Sequence, residues 1–405
     1  MLPLLGRLRD YPWGSPDAIY ELLGVPPTGR PGAELWLGTH PADPAEVQTP
    51  AGLRPASERL GTLPFLLKVL AAETPLSLQV HPTRQQAESG FDADERAGIP
   101  LTAAHRRYKD RNHKPELIVA LTPFRALAGI RDPRTTLAVV DALGDERARA
   151  VFAPLTEPGG TAAVLRSLLT MTAAEGAALA DGLAGAAAGV APGEDATGRA
   201  GDLVRALAAM YPGDVGIAVA LLLHDITIEP GDGLFQPARM LHSYVHGVGI
   251  EIMAASDNVL RGGLTPKHID VPELLAVLDP TPAPPPVVRP RTLLAGPGGT
   301  VLGWDVPVDD FALRALDCHG EVTLPAAPVL LVTEGRLEVA LADEGEGEGE
   351  GRGRIGGLAG GGRLDLRRGQ SAAVDGARNL TVRGTGRMFL AGAGARPTDR
   401  SARRL

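Results

Sequence analysis

The 405-residue chain has a single cysteine, Cys318. A lone thiol excludes an intramolecular disulfide and any zinc module built on cysteine pairs, and a buried, inert thiol is its expected state. A basic excess is missing too: 48 acidic against 40 basic residues leave a formal charge of −8. Such a balance gives no electrostatic footprint for nucleic acid or for an anionic membrane. An anionic substrate would need a local cluster of Lys and Arg to overcome that field. Long apolar runs are absent. Met1-Leu2-Pro3-Leu4-Leu5 is too short for a signal-peptide core, and the longest later run, Gly216 to Leu223, falls far short of a bilayer span. A soluble, cytoplasmic protein is expected. No phosphate-cradling Gly-rich loop, nucleophile elbow or dinucleotide fingerprint occurs.

What is present is strand punctuation. Up to about residue 131, short segments rich in strand formers alternate with Gly and Pro: Ala33 to Gly38, Leu63 to Leu70, Leu76 to His81, Glu116 to Leu121 and Arg125 to Ile130. Thr83 is a plausible helix N-cap for the run that follows it. The texture changes at Asp132-Pro133, which reads as a helix start with proline in the first turn. From there to about residue 213 the chain is Ala- and Leu-rich at helical spacing, an inserted helical domain. Strand texture is expected again at Gly216 to Leu223, Asp225 to Ile228, Gly233 to Gln236 and Ile250 to Ala254. The β parts at 1–131 and 214–279 therefore read as one barrel. Residues 280–290 form a Pro-rich, semi-rigid linker, and 291–405 a smaller β-domain. That domain contains the alternating Glu-Gly tract from Asp343 to Gly351, read as a solvated loop, and one histidine, His319.

Chemistry concentrates on three strand-like segments. In Pro75-Leu76-Ser77-Leu78-Gln79-Val80-His81-Pro82, strand alternation puts Ser77, Gln79 and His81 on one face and Leu78 and Val80 on the other. Lys114 and Glu116 share a face of Lys114-Pro115-Glu116-Leu117-Ile118-Val119, provided the proline starts or edges the strand. His242, Tyr244 and His246 alternate in Met240-Leu241-His242-Ser243-Tyr244-Val245-His246. Gln, His, Glu and His from separate strands make a mixed nitrogen and oxygen shell, so the chain looks like a metalloenzyme.

Gly231-Asp232-Gly233-Leu234-Phe235-Gln236-Pro237-Ala238-Arg239-Met240-Leu241-His242 has the spacing of the second cupin motif. Taken with the segments above, Tyr11-Pro12-Trp13-Gly14, Glu34-Leu35-Trp36-Leu37-Gly38-Thr39-His40-Pro41 and Ser256-Asp257-Asn258-Val259-Leu260-Arg261-Gly262-Gly263-Leu264-Thr265-Pro266-Lys267, it closely resembles the type I mannose-6-phosphate isomerases of the cupin superfamily. The resemblance covers about residues 10 to 280 and fades beyond. Two departures flank the last ligand: Arg239 replaces the usual small residue, and Leu241-His242-Ser243-Tyr244 stands where the family generally reads Pro-His-Ala-Tyr.

The resemblance implies a mainly β fold: cupin-type jelly-roll barrels with an inserted helical domain, the N-terminal barrel catalytic and a smaller C-terminal one lacking metal ligands. It implies one zinc ion per chain on Gln79, His81, Glu116 and His242. It implies a monomer acting on a sugar phosphate, interconverting mannose 6-phosphate and fructose 6-phosphate through a cis-enediol. Arg261 is then an active-site cation that stabilises an enediolate or holds phosphate; its bland alternative is an ion pair with Asp257. Lys68, Lys114 and Lys267 are candidates for phosphate contact or proton transfer, Ser77 for a hydrogen bond to the sugar phosphate, and Tyr244 for the sugar pocket. The base is open among a lysine, His113, Glu251 and water held at the metal. Two rivals share the fold class: a non-catalytic carbohydrate-binding or regulatory cupin, and an iron-dependent oxygenase, which Gln79 in place of a third histidine disfavours. An isomerase of another sugar phosphate is a third.

Overall fold

In the computed structural model, residues 1–342, 362–376 and 379–394 are described; the Glu-Gly tract from Asp343 lies outside them. The chain is mainly β with a helical stretch between residues 133 and 220. Contacts divide it into two compact units, one of residues 1–71, 250–255 and 288–405, the other of residues 72–249 and 256–287.

In the second unit the helix start read at Asp132-Pro133 forms, and further caps accompany it. The Asp132 carboxylate accepts from the amides of Arg134 and Thr135 and starts the helix Pro133–Leu143. Thr172 and Glu175 form a capping box at the head of Ala173–Ala188, and Asp195 caps Ala196–Met210. Each helix turns an apolar stripe (Val139 and Leu143, Leu179 and Leu183, Leu203 and Leu207) into one buried cluster. Leu78 and Val80, the apolar face of the short strand Leu78–Val80, belong to that same cluster. The helices thus back the strand whose other face carries Gln79. Complete burial of Leu78 contributes about 1.5–3 kcal/mol.

The run Gly216 to Leu223 does not fold as the expected strand. Gly216–Ala220 is helical, and the strand begins only at Leu223, running to Ile228. Asp214 Oδ1 accepts the Gly216 amide at 2.7 Å, fixing a helical entry, and a short apolar run carries no periodicity that distinguishes helix from strand. Within the expected linker, the Ala283 amide donates to Ile130 O and Pro286 O accepts from Phe235, so this stretch is tied down along its length.

The first unit holds a sheet ordered Arg291–Gly296, Gly299–Gly303, Ala312–Pro325, Asn379–Gly392, Val329–Leu341, Ser371–Ala373, Leu2–Leu5, Glu46–Thr49, Gly52–Pro55. Leu2 lies opposite Ala373, so the first strand of the chain completes a sheet made largely by the last hundred or so residues. Its core is apolar, with Leu316, Leu330, Val339 and Leu390 among its members. Charges stand on the exposed side, where Arg336 pairs with Asp365 and Arg383 with Glu321. Among the described residues no helix is long and apolar enough to cross a membrane.

Candidate metal centre

Strand register assembles most of the site. The strand Leu78–Val80 pairs antiparallel with His242–Ala254, placing Gln79 opposite His242. It also pairs with Leu260–Gly263, placing Gln79 opposite Arg261. Directly opposed residues share a face with Cβ atoms about 5 Å apart, so Gln79, His242 and Arg261 look the same way. Glu116 opens the strand Glu116–Ala120, with Pro115 just ahead of it as a strand-starting proline should be. His81 follows its strand; its carbonyl accepts the Arg239 amide at 2.7 Å. Arg239 has φ 72°, a left-handed conformation that favours glycine, which gives a backbone reason for a small residue at this point of the cupin motif. Beyond Tyr244 a register shift ends the expected alternation, and His246 is exposed.

Both imidazoles have their tautomer set by backbone. His81 Nδ1–H donates to Asn258 O at 2.7 Å, and His242 Nδ1–H to Met240 O at 3.0 Å. Each ring therefore turns an unprotonated Nε2 toward Glu116, whose Oε2 lies 3.4 Å from His81 Nε2 and 3.3 Å from His242 Nε2. His81 Nε2 is fully buried and has no hydrogen-bond partner. An orphaned nitrogen in that position normally carries a substantial desolvation penalty. Burial, the dominant cause, pushes the His81 imidazole down to about 4, against the opposing pull of Glu116. The ring is thus neutral at pH 7, as a metal ligand must be. Burial, the largest single influence, pushes Glu116 up, but Lys114, with Nζ 2.9 Å from Oε1, together with His81 and His242 outweighs it and holds the carboxyl well below its ordinary range.

The ligand atoms of His81, Glu116 and His242 all lie within 4.8 Å of one another. Two ligands about 2.0–2.1 Å from a tetrahedral zinc stand roughly 3.3 Å apart. The spacing, the orphaned nitrogen and the nitrogen-oxygen donor set all fit zinc.

Arg261 is half-buried on the strand Leu260–Gly263. Burial lowers its pKa; burial and the repulsion of Arg261 lower that of Lys267, which is exposed. Lys109 is lowered by burial first, then by Arg106, with Arg261 a smaller contributor. Tyr244 is buried edge-on against Phe124, its ring 6.4 Å from that of His242. Ser77 is half-buried, two residues before Gln79. Lys68 lies in the first unit, where its ammonium is 3.0 Å from Glu251 and 3.4 Å from Glu34, all three side chains buried.

Three residues escaped the sequence reading. Gln236 is fully buried and pairs in register with Glu116; its place at the end of the strand Gly233–Gln236 was the available signal. Asp110 and Asn258 bond each other and hold the loop before Lys114. Polar residues in a loop give no sign of such long-range pairing.

A β-rich scaffold that buries two imidazoles and a carboxylate facing one point is a mononuclear metalloprotein in build. Residues 1–133 match the family described as phosphomannose isomerase type I, catalytic domain. The chain is 35% identical over 413 residues to the mannose-6-phosphate isomerase of Escherichia coli K12, covering 96% of this chain and 98% of that protein. It is 32% identical to the bovine enzyme of the same name, over 83% of this chain and 88% of that one. A crystal structure of mannose 6-phosphate isomerase from Salmonella typhimurium, bound to substrate and a zinc atom, superposes with a TM-score of 0.82 at 33% identity, over 98% of this chain and all of that one. The chain belongs to the type I mannose-6-phosphate isomerase family.

Proposed function

We propose that the chain reversibly interconverts mannose 6-phosphate and fructose 6-phosphate, with one zinc ion held by Gln79, His81, Glu116 and His242. One observation carries this reading: in a chain of this family, His81 and His242 both turn Nε2 on Glu116 in a buried cluster. The register opposite His242 supports Gln79 as the fourth ligand. Bound there, zinc supplies a Lewis acid that orients and polarises sugar oxygens without changing redox state.

The remaining work falls to side chains. Lys114, with the two imidazoles, keeps Glu116 ionised and therefore able to bind a cation. As a proton leaves C2 and arrives at C1, negative charge grows on the enediolate oxygens, and Arg261 supplies fixed positive charge to meet it. Arg261 and Lys267 repel each other, a repulsion that a phosphate dianion between them relieves. Ser77 and Tyr244 line the sugar. Lys68, its ammonium between Glu251 and Glu34, is kept as a candidate for phosphate contact or proton transfer. We further read the ligand-bearing strands as a cupin-type barrel interrupted by the helical segment 132–213, and 291–405 as a cupin-like domain without metal ligands. A cytoplasmic monomer completes the reading.

A coupled assay on mannose 6-phosphate, with zinc measured on the same sample, tests the proposal. Turnover should track zinc content. A folded, zinc-loaded protein that leaves mannose 6-phosphate unchanged overturns it.

A further inference from the structure

We infer that Asn258 is a positioning residue that holds two otherwise separate parts of the metal centre in one geometry. The inference rests on the zinc reading above and assigns a role to a side chain that touches neither metal nor substrate.

Asn258 is buried, and its amide is saturated. Oδ1 accepts the Lys109 amide at 2.7 Å and the Asp110 amide at 3.3 Å. Nδ2 donates to Asp110 O at 2.9 Å, to Asp110 Oδ1 at 3.1 Å and to Asn112 O at 2.8 Å. A carboxamide offers two donors and two acceptor sites, and here all are engaged with one short loop. That loop runs directly into Lys114 and Glu116. Asp110 reinforces the junction, taking the Ser256 hydroxyl at 2.9 Å and the Asp257 amide at 2.8 Å.

The main chain of the same residue does something different. Asn258 O accepts His81 Nδ1–H at 2.7 Å, which fixes the tautomer and swings Nε2 onto Glu116. Three residues further on, Arg261 stands opposite Gln79. One residue therefore ties the loop that delivers Glu116 to the carbonyl that aims His81. Loss of the side chain leaves the carbonyl in the covalent chain but frees it to drift, and with it the ring. Partners of this kind typically change metal affinity or activity about 10- to 100-fold when removed.

Asn258→Ala should accordingly weaken zinc binding by about 10- to 100-fold, read by competition with a chromophoric chelator on the full-length protein. In the zinc-saturated variant kcat should fall while KM changes little. Asn258→Asp keeps the shape and Oδ1 but loses the donations and sets a second carboxylate beside Asp110. It should show the same defect, and Asp110→Asn added to it should restore part of the lost affinity by returning a donor to the pair. Retention of zinc affinity and kcat by Asn258→Ala, with only thermal stability lowered, overturns the inference. Should Asn258→Ala fail to fold, equal zinc affinities for Asn258→Asp and the double variant overturn it instead. Unmutated protein inactive on mannose 6-phosphate, with the zinc effect intact, would sink the isomerase reading alone.

Discussion

In the sheet of the first unit the buried side chains are almost all apolar: Leu316, Leu330, Val339 and Leu390 meet in one cluster while Arg336, Asp365, Arg383 and Glu321 pair on the exposed side. The strands Leu78–Val80, Glu116–Ala120 and His242–Ala254 are just as well buried, yet they bring His81, Glu116 and His242 together in the interior of the second unit. Identical strand rules thus give two unlike interiors. The first lowers the free energy of the fold outright, since nearly every inward group is one that water disfavours. The second sets beside its own apolar cluster a desolvated carboxylate and an orphaned imidazole nitrogen, a local cost that a cation between them offsets. Stability is shared by both interiors, and the metal chemistry belongs to the second.

The sharpest way to break this comparison is to remove the cation. Chelation should abolish turnover while circular dichroism stays nearly unchanged, because the helices and the apolar strand faces do not depend on the metal. Global unfolding on chelation would show that the polar interior supports the fold after all. Glu116→Ala should act likewise, reducing zinc affinity by well over about 100-fold, since it deletes the ligand and not a supporting partner.

Next in size is Arg261→Ala. If it meets charge that develops during the reaction, kcat should drop about 10²- to 10³-fold with little change in melting temperature. A rise in KM alone would reassign Arg261 to holding phosphate.

The apolar interior is expected to respond in the opposite sense. Leu390→Ala should lower unfolding free energy by about 2–5 kcal/mol, by denaturant titration, while kcat per folded molecule is retained. A direct loss of kcat in folded protein would erase the distinction between the two regions.

Acid gives a smaller, graded effect. Burial pushes Asp94 up, but the Arg107 guanidinium and the amides of Arg107 and Tyr108 hold its carboxyl below the ordinary value. A depressed folded pKa means that the stabilisation is complete above the unfolded value and is lost as pH falls through the folded one. Denaturation curves between about pH 5 and pH 2 should therefore be flatter for Asp94→Asn than for the unmutated chain. Smallest of all, Arg336→Ala on the exposed face of the sheet should leave the melting temperature within error.

The grouping of His81, Glu116 and His242 was legible because strand period two is a strong constraint: Gln79 and His81, Lys114 and Glu116, and His242 sit in short segments where apolar neighbours reveal the opposite face. Helix boundaries at Asp132 and Thr83 were legible because caps are local chemistry. Gly216 to Ala220 was not, since five apolar residues show no period. The strand Leu2–Leu5 was missed because neither partner is local: Glu46–Thr49 stands beyond the first helix and Ser371–Ala373 at the other end of the chain. Asn258 went unnoticed for a related reason: its loop partners Lys109, Asp110 and Asn112 lie about 150 residues away, and nothing in Ser256-Asp257-Asn258 announces them.

The pairing of Leu2–Leu5 with Ser371–Ala373 also sets an order of events during synthesis. The first strand meets Glu46–Thr49 early but leaves the ribosome hundreds of residues before Ser371–Ala373 exists, so this sheet cannot close until translation is almost finished. The second unit, whose residues all lie at or before Val287, is synthesised much earlier. A ribosome stalled well after residue 287 would therefore present a nascent chain that holds every residue of the metal centre while one edge of its leading strand is still open.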